Sequence, residues 1–455
     1  MTSLKKNNLY INKKHDLILH HCPVNLKIIF IITILAKIIC GNSLSGNINS
    51  IKDSLQYKDF TYSENIRSVF FFKKGLEQSL PIIELNSDEK LKLMFDDLDN
   101  NTKNFYYTII HCNSGWEPSN LSPAEYISGF NESQIKDYFY SFNTTYDYIH
   151  YELNFPNDEI APKLCGNYIL LVYEMYNPDA LILTRRFYVV DKKIAIKAAI
   201  KRPKSPDFID TGQEIDFSIY HKGYYIRDPF SDIKVTILQN NRYDNRINSL
   251  KPLFVKQNEL EYSYNYENVF LGGSEYRYFD IKSMRYQAEH IKEIDFKHPY
   301  YHVTLFPDEP KPFKPYYYTI EINGRYYVDA QEGRDKNIEA DYVYVHFSMP
   351  YDVPLADGDV YVYGALTDWN LTEHNKMIYN YDNQAYELTL LLKQGYYNYE
   401  YVYVKKNDTY ADNSFFEGSH YETENDYIIL VYHYDNTSKY EKLIGLKFLN
   451  SLRDE

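Results

Sequence analysis

The sequence predicts an all-β protein built from tandem immunoglobulin-like β-sandwich domains, and three observations carry that prediction. At 455 residues the chain has room for about three domains. It carries 51 Tyr and 25 Phe against 2 Trp, and such side chains favour a pleated, half-buried surface. Short apolar runs recur along the whole length, separated by Asn, Asp, Gly and Pro. Part of the Tyr excess has a simpler source, because an AT-rich gene raises Asn, Lys, Ile and Tyr together.

The first 41 residues read as a secretory signal peptide. Five Lys residues (Lys5, Lys6, Lys13, Lys14, Lys27) precede an apolar run at 28–39 that ends in Cys40, Gly41 and Asn42. That run is short for a bilayer span and Lys37 interrupts it, so no direct membrane span is expected. The large residues Ile38 and Ile39 before Cys40 argue against a lipid-modified cysteine. Cleavage is expected between about Cys40 and Ser45, and residues 42–57 read as a polar linker. Removing six Lys and one Asp takes the net charge from −14 to −19, which opposes nucleic acid and anionic lipid as partners.

A first domain is expected over 58–192. Strand-like runs lie at 69–72, 82–85, 91–95, 106–111, 148–155, 168–173 and 182–190. One helix start stands among them: Ser122 as N-cap, Pro123 at the first helical position and Glu125 completing a capping box, with Gly129 as the stop. Asp96, Asp97 and Asp99 lack the glycine and distant Glu of a calcium loop and read as a solvated turn. Cys112 and Cys165, the two cysteines beyond the leader, are either one disulfide or two buried thiols.

A middle domain is expected over 193–340 and a last one over 341–455. In the middle domain, strands at 194–200, 215–220, 233–238, 260–264, 276–281 and 301–306 lead to the proline-rich 307–315. A hairpin follows in expectation, with 317–322 and 325–328 as arms and Asn323-Gly324 as turn. His298 and His302 stand out of helical register and read as ordinary surface histidines rather than metal ligands. In the last domain strands are expected at 385–392, 396–404 and 427–434, after a turn around Trp369.

No phosphate-cradling loop, nucleophile elbow, HExxH helix or paired Cys motif occurs, so the reading is a non-enzymatic binding or interaction protein with no cofactor and no metal.

Longer stretches sharpen this. The order Cys112, Trp116, Pro118, Ser119, Glu125, Tyr126, Gly129, Phe130, then SFNT at 141–144 and HYELNFPN at 150–157, resembles the plug protein of the bacterial type IX secretion system. GGSEYRYFD at 272–280, NGRYYVD at 323–329 and ADYVYVHFSMP at 340–350 resemble the same family. What the resemblance implies is a periplasmic subunit, peripheral to the outer membrane, that docks on the large outer-membrane β-barrel translocon and seals its periplasmic opening. Cys165 departs from the small polar residue expected there. VYVYGALTDWN at 360–370, followed by KQGYYNYEYVY at 393–403, resembles early-set, glycogen-binding-like modules. In those modules a similarly placed aromatic stacks on a sugar, which gives the alternative of a cell-envelope carbohydrate-binding protein with Trp369 as the glycan contact. Its competitor, a Trp369 that plugs the core beneath its own loop, is favoured by the lack of a second exposed Trp.

Overall fold

The computed structural model describes residues 55–453 except 100, 176 and 249. The expected leader, 1–41, and most of the expected linker lie outside the described residues. Strands dominate, and among the described residues each α-helix is a single four-residue turn. The all-β class therefore holds, as three two-layered sandwiches.

The first sandwich packs a sheet ordered Phe60–Thr61, Asn177–Val190, Gly166–Glu174, Phe105–Cys112, Ser133–Gln134 against one ordered Ile66–Lys73, Leu91–Asp97, Ile149–Phe155, Asp137–Tyr140. Phe105–Cys112 alternates buried and half-buried positions, so Phe105, Tyr107 and Ile109 enter the core. Gly166–Glu174 is buried on both faces over its first seven residues. Tyr168, Leu170 and Val172 face the sandwich's own core, whereas Ile169 faces a neighbouring sandwich. An unbroken apolar strand is what two-sided burial demands. The expected helix forms as Pro123–Tyr126 with its capping box. It ends before Gly129, because Ile127–Gly129 pairs with Ile160–Pro162 instead.

Strand pairing divides the rest of the chain differently from the expected boundary at 340/341. The middle sandwich sets Ala195–Lys201, Gly212–Tyr220, Glu259–Tyr262, Phe254–Lys256 and Val269–Leu271 against Ile233–Gln239, Asp426–Asp435 and Tyr440–Asn450. Its second layer thus comes mostly from the C-terminus, with Val235 opposite Val431 and Ile237 opposite Ile429. Between its two parts the chain forms the third sandwich. There Arg277–Asp280, Gly395–Lys405, Tyr326–Val328 and Gly358–Tyr363 cover Ile291–Lys297, Tyr300–Leu305, Tyr342–Pro350, Ala385–Lys393 and Ile378–Asn380. The physical reason is burial: Tyr427, Ile429 and Val431 complete the core of Ile215, Ile219 and Leu260, not that of the third sandwich.

The expected Asn323-Gly324 hairpin is also revised. Both residues take positive φ, 53° and 74°, so the turn is real. Tyr326–Val328, however, pairs with Gly395 to Tyr397 of the long central strand, and the Ile322 N–H donates to the Asn398 side chain at 2.7 Å. The second arm has found a better partner, and the first arm is left without one.

Candidate functional site

The site that organises this molecule is the set of buried joints where the three sandwiches meet. At the joint between first and middle sandwiches, the strand Phe105–Cys112 runs into a tight turn. Asn113 Oδ1 accepts from the Gly115 and Glu117 N–H groups, both at 2.9 Å, and this turn places Trp116 at φ 68°. Trp116 is buried and meets Tyr188 and Tyr243 edge to face, with the Arg186 guanidinium 4.8 Å from its ring. Tyr188 and Tyr243 share a hydrogen bond through their hydroxyls. Around them, Cys112, Ile169 and Val190 of the first sandwich pack against Leu238, Ile428, Leu430 and Leu443 of the middle one. Such a joint is a second hydrophobic core, not a hinge.

The joint between first and third sandwiches is ionic. Asp96, read from the sequence as part of a solvated turn, is fully buried. Its carboxylate accepts from Lys393 Nζ at 2.6 Å, Tyr342 hydroxyl at 2.7 Å and His150 Nδ1 at 2.6 Å. Asp97 is fully buried too, 2.9 Å from Lys103, and only Asp99 of the three is exposed. For Asp96 the cause is distance along the chain, since its cation Lys393 lies 297 residues away, whereas the cation beside Asp97, Lys103, stands close by in sequence. Burial alone would raise the Asp96 carboxyl, but Lys393 and His150 outweigh it and hold it below the usual carboxylate range. Beside it, Arg185 reaches Asp368 at 3.0 Å, and Asn370 donates to the Asp59 carbonyl at 2.8 Å.

Middle and third sandwiches are joined by buried Arg242, which pairs with Asp244 at 2.7 Å and with Glu400 at 3.2 Å. Burial pushes the Glu400 carboxyl up to about 7 despite Arg242. A cleft of about 530 Å³ opens between the three bodies, lined among others by Phe70, Arg186, Tyr243, Asn323 and Trp369.

Trp369 is half-buried and packs edge to face on Tyr363 and Tyr276. A Cβ added to Gly324 would lie 2.4 Å from its ring and 2.8 Å from that of Tyr276. The ring is thus packed between Tyr363, Tyr276 and the Asn323-Gly324 turn. Gly324→Ala adds this clash to an unfavourable φ and is expected to destabilise by about 1–3 kcal/mol. Gly75→Ala, at φ 86° with nothing within 4 Å, meets no such clash and is expected to cost less. Thermal melts of the two variants test the difference.

Cys112 and Cys165 are free, buried thiols. Cys112 stands opposite Asn167, so Cys165 lies two positions farther along, outside the register. Diagonal neighbours are typically about 7–8 Å apart at Cα, beyond disulfide reach. Burial pushes the Cys112 thiol up to about 12, which leaves it inert. His302 is not an ordinary surface histidine: its Nδ1 lies 2.9 Å from Nε2 of His346 on the neighbouring strand. Among the described residues no three His, Cys, Asp or Glu side chains converge to hold a metal ion.

This architecture is that of a multi-sandwich all-β protein whose bodies share buried joints. Residues 66–191 match the family model described as "Type 9 secretion system plug protein 1st domain". The crystal structure of a hypothetical protein from Parabacteroides merdae is 35% identical, superposes at TM-score 0.85, and is matched over 87% of this chain and 100% of its own. The chain belongs to the type IX secretion system plug protein family, and its role is related to type IX secretion. Trypsin-activated alpha-2-macroglobulin from Escherichia coli, at 11% identity and TM-score 0.16 over 84% of this chain and 28% of its own, contributes nothing to that reading. No curated protein sequence matches. Among the described residues no helix is long and apolar enough to cross a membrane.

Proposed function

We propose that this protein is a non-enzymatic periplasmic subunit that docks on the large outer-membrane translocon barrel of the type IX system and seals its periplasmic opening. The observation that carries the reading is the mechanical character of the joints in a chain whose first domain matches the plug family. A pore wide enough for folded cargo must be closed over a broad mouth. A body whose three sandwiches share buried apolar and ionic joints covers such a mouth by shape, and affinity then rests on a few aromatic anchors within a polar rim. No bond need be made or broken for this task.

The test is electrical. Purified translocon barrel in a planar bilayer is expected to conduct ions, and this protein added to the periplasmic face is expected to close the conductance at near one-to-one stoichiometry. Conductance unchanged at saturating protein overturns the sealing role.

A further inference from the structure

The arm left over from the missing hairpin has no strand partner among the described residues. Residues 315–322 run without a turn or bend, and none of them takes a left-handed backbone. Among the described residues, no backbone N–H or carbonyl of 315–321 makes a backbone hydrogen bond. Its sequence is nevertheless strand-forming, with Tyr316, Tyr317, Tyr318, Thr319 and Ile320 in succession. The segment is tethered at both ends. Upstream, the Lys311 N–H donates to the Phe416 carbonyl at 2.7 Å and the Tyr316 hydroxyl to Glu275 at 2.6 Å; downstream lies the Ile322 to Asn398 bond. Between the tethers, Tyr317 is 82% and Ile320 80% exposed, with Phe313 at 98% just before.

The cations that flank this segment are engaged elsewhere: Lys311 with Glu417 at 3.5 Å, Lys314 with Glu309 at 3.1 Å and Arg325 with Asp426 at 2.9 Å. Glu275, Glu321, Glu422 and Glu424 surround it, and among the described residues none of the four forms an ion pair. Glu275 is only 4% exposed, and its Oε2 has no hydrogen-bond partner. Burial and then the Glu275 charge push the Glu321 carboxyl up to about 8. Unpaired, strand-forming backbone beside Glu422 and Glu424, which form no ion pair among the described residues, defines a complementary occupant: an extended chain to pair with the backbone, carrying cations to meet these carboxylates and apolar side chains to cover Tyr317 and Ile320.

We propose that residues 316–322 are a strand-addition site for an extended segment of a partner protein in which basic and apolar residues alternate. The occupant is not a second copy of this chain, whose own net charge is −14 and whose own segment carries the same carboxylates. This inference names a surface and a partner chemistry, and it does not depend on the sealing role.

The probe is a fluorescent, end-capped octapeptide of alternating Lys and Val, titrated into the full chain at low salt and followed by anisotropy and by hydrogen exchange. Saturable binding is expected, with amides 316–322 exchanging fast in the free protein and slowly in the complex. Ile320→Pro removes one exposed donor that has no intramolecular partner, and is expected to weaken binding by about tenfold or more while leaving the melting temperature unchanged. Ile320→Ser keeps the donor and removes only apolar contact, so it is expected to weaken binding less. A Glu/Val peptide is expected not to bind. No binding by the Lys/Val peptide, equal binding by the Glu/Val peptide, protection elsewhere on the chain, an unaffected Ile320→Pro variant, or a peptide-free dimer through this segment would each overturn the proposal.

Discussion

Asp96→Ala strands the Lys393 ammonium inside the protein, and the expected cost is about 3–5 kcal/mol. Lys393 is 2% exposed and would keep only the Asn337 carbonyl, at 2.6 Å, as a polar partner. The loss falls on the joint between first and third sandwiches, so the expected signature is specific. Thermal unfolding should change from one transition to two, as the first sandwich melts free of the rest. Replacing both members by apolar residues of similar size, Asp96→Leu with Lys393→Met, removes the uncompensated charge and should recover most of the loss. A double variant no better than Asp96→Ala would contradict the ionic account of this joint.

The same cluster gives the joint a pH window. Burial lowers His150, but Asp96 and Glu152 outweigh burial and raise it above its ordinary 6.5. Its contribution is therefore complete below that value and is lost as pH rises through the raised one. Glu152, held by His150 at 3.4 Å and Lys92 at 2.8 Å, is pulled down from 4.5 to about 2. Its contribution is present above 4.5 and disappears as pH falls through about 2. The joint is thus expected to be tightest between these limits. In His150→Gln the decline on the alkaline side should vanish from a plot of melting temperature against pH, while the acid decline persists in weakened form.

Trp116→Ala is the second large effect, expected at about 3–5 kcal/mol for deletion of a buried aromatic. It empties the space between Tyr188, Tyr243 and the Arg186 guanidinium, and so unfastens the first sandwich from the middle one. Limited proteolysis should then cut between the two bodies, near 191–194, where the native chain is expected to resist because Asp191 and Lys193 N–H donate to the Leu443 and Ile444 carbonyls. Trp116→Phe keeps an edge-to-face ring and should lose far less. Equal losses in both variants would show that the ring's contacts with tyrosine are not what holds the joint.

How much of this was legible in the sequence depends on how far apart the partners stand. The capping box of Ser122 and Glu125 is three residues long and was readable in full. The strand within Gly166–Glu174 was visible as an apolar run at 168–173, but its burial on both faces was not. Asp96 was misread because its cation is 297 residues away, and a carboxylate flanked by other carboxylates looks solvated from close by. The Asn323-Gly324 turn was read correctly and its hairpin was not, because turn chemistry is local whereas the choice of strand partner was made by Gly395–Lys405. The domain boundary failed for the same reason: Asp426–Asp435 carries nothing in its own residues that says it pairs with Ile233–Gln239. Trp369 drew attention as an aromatic in a loop, and its contacts with Gly324 and Tyr276, from segments distant in sequence, were not legible there.

The proposed docking on a translocon barrel is tested by a tagged pull-down from gently solubilised outer membranes of the source cells, with masses assigned to what co-purifies. One very large β-barrel recovered in stoichiometric amount, and lost when Trp116→Ala loosens the body, is the predicted result. Recovery of the protein alone, or bound to glycan without a barrel, would contradict it.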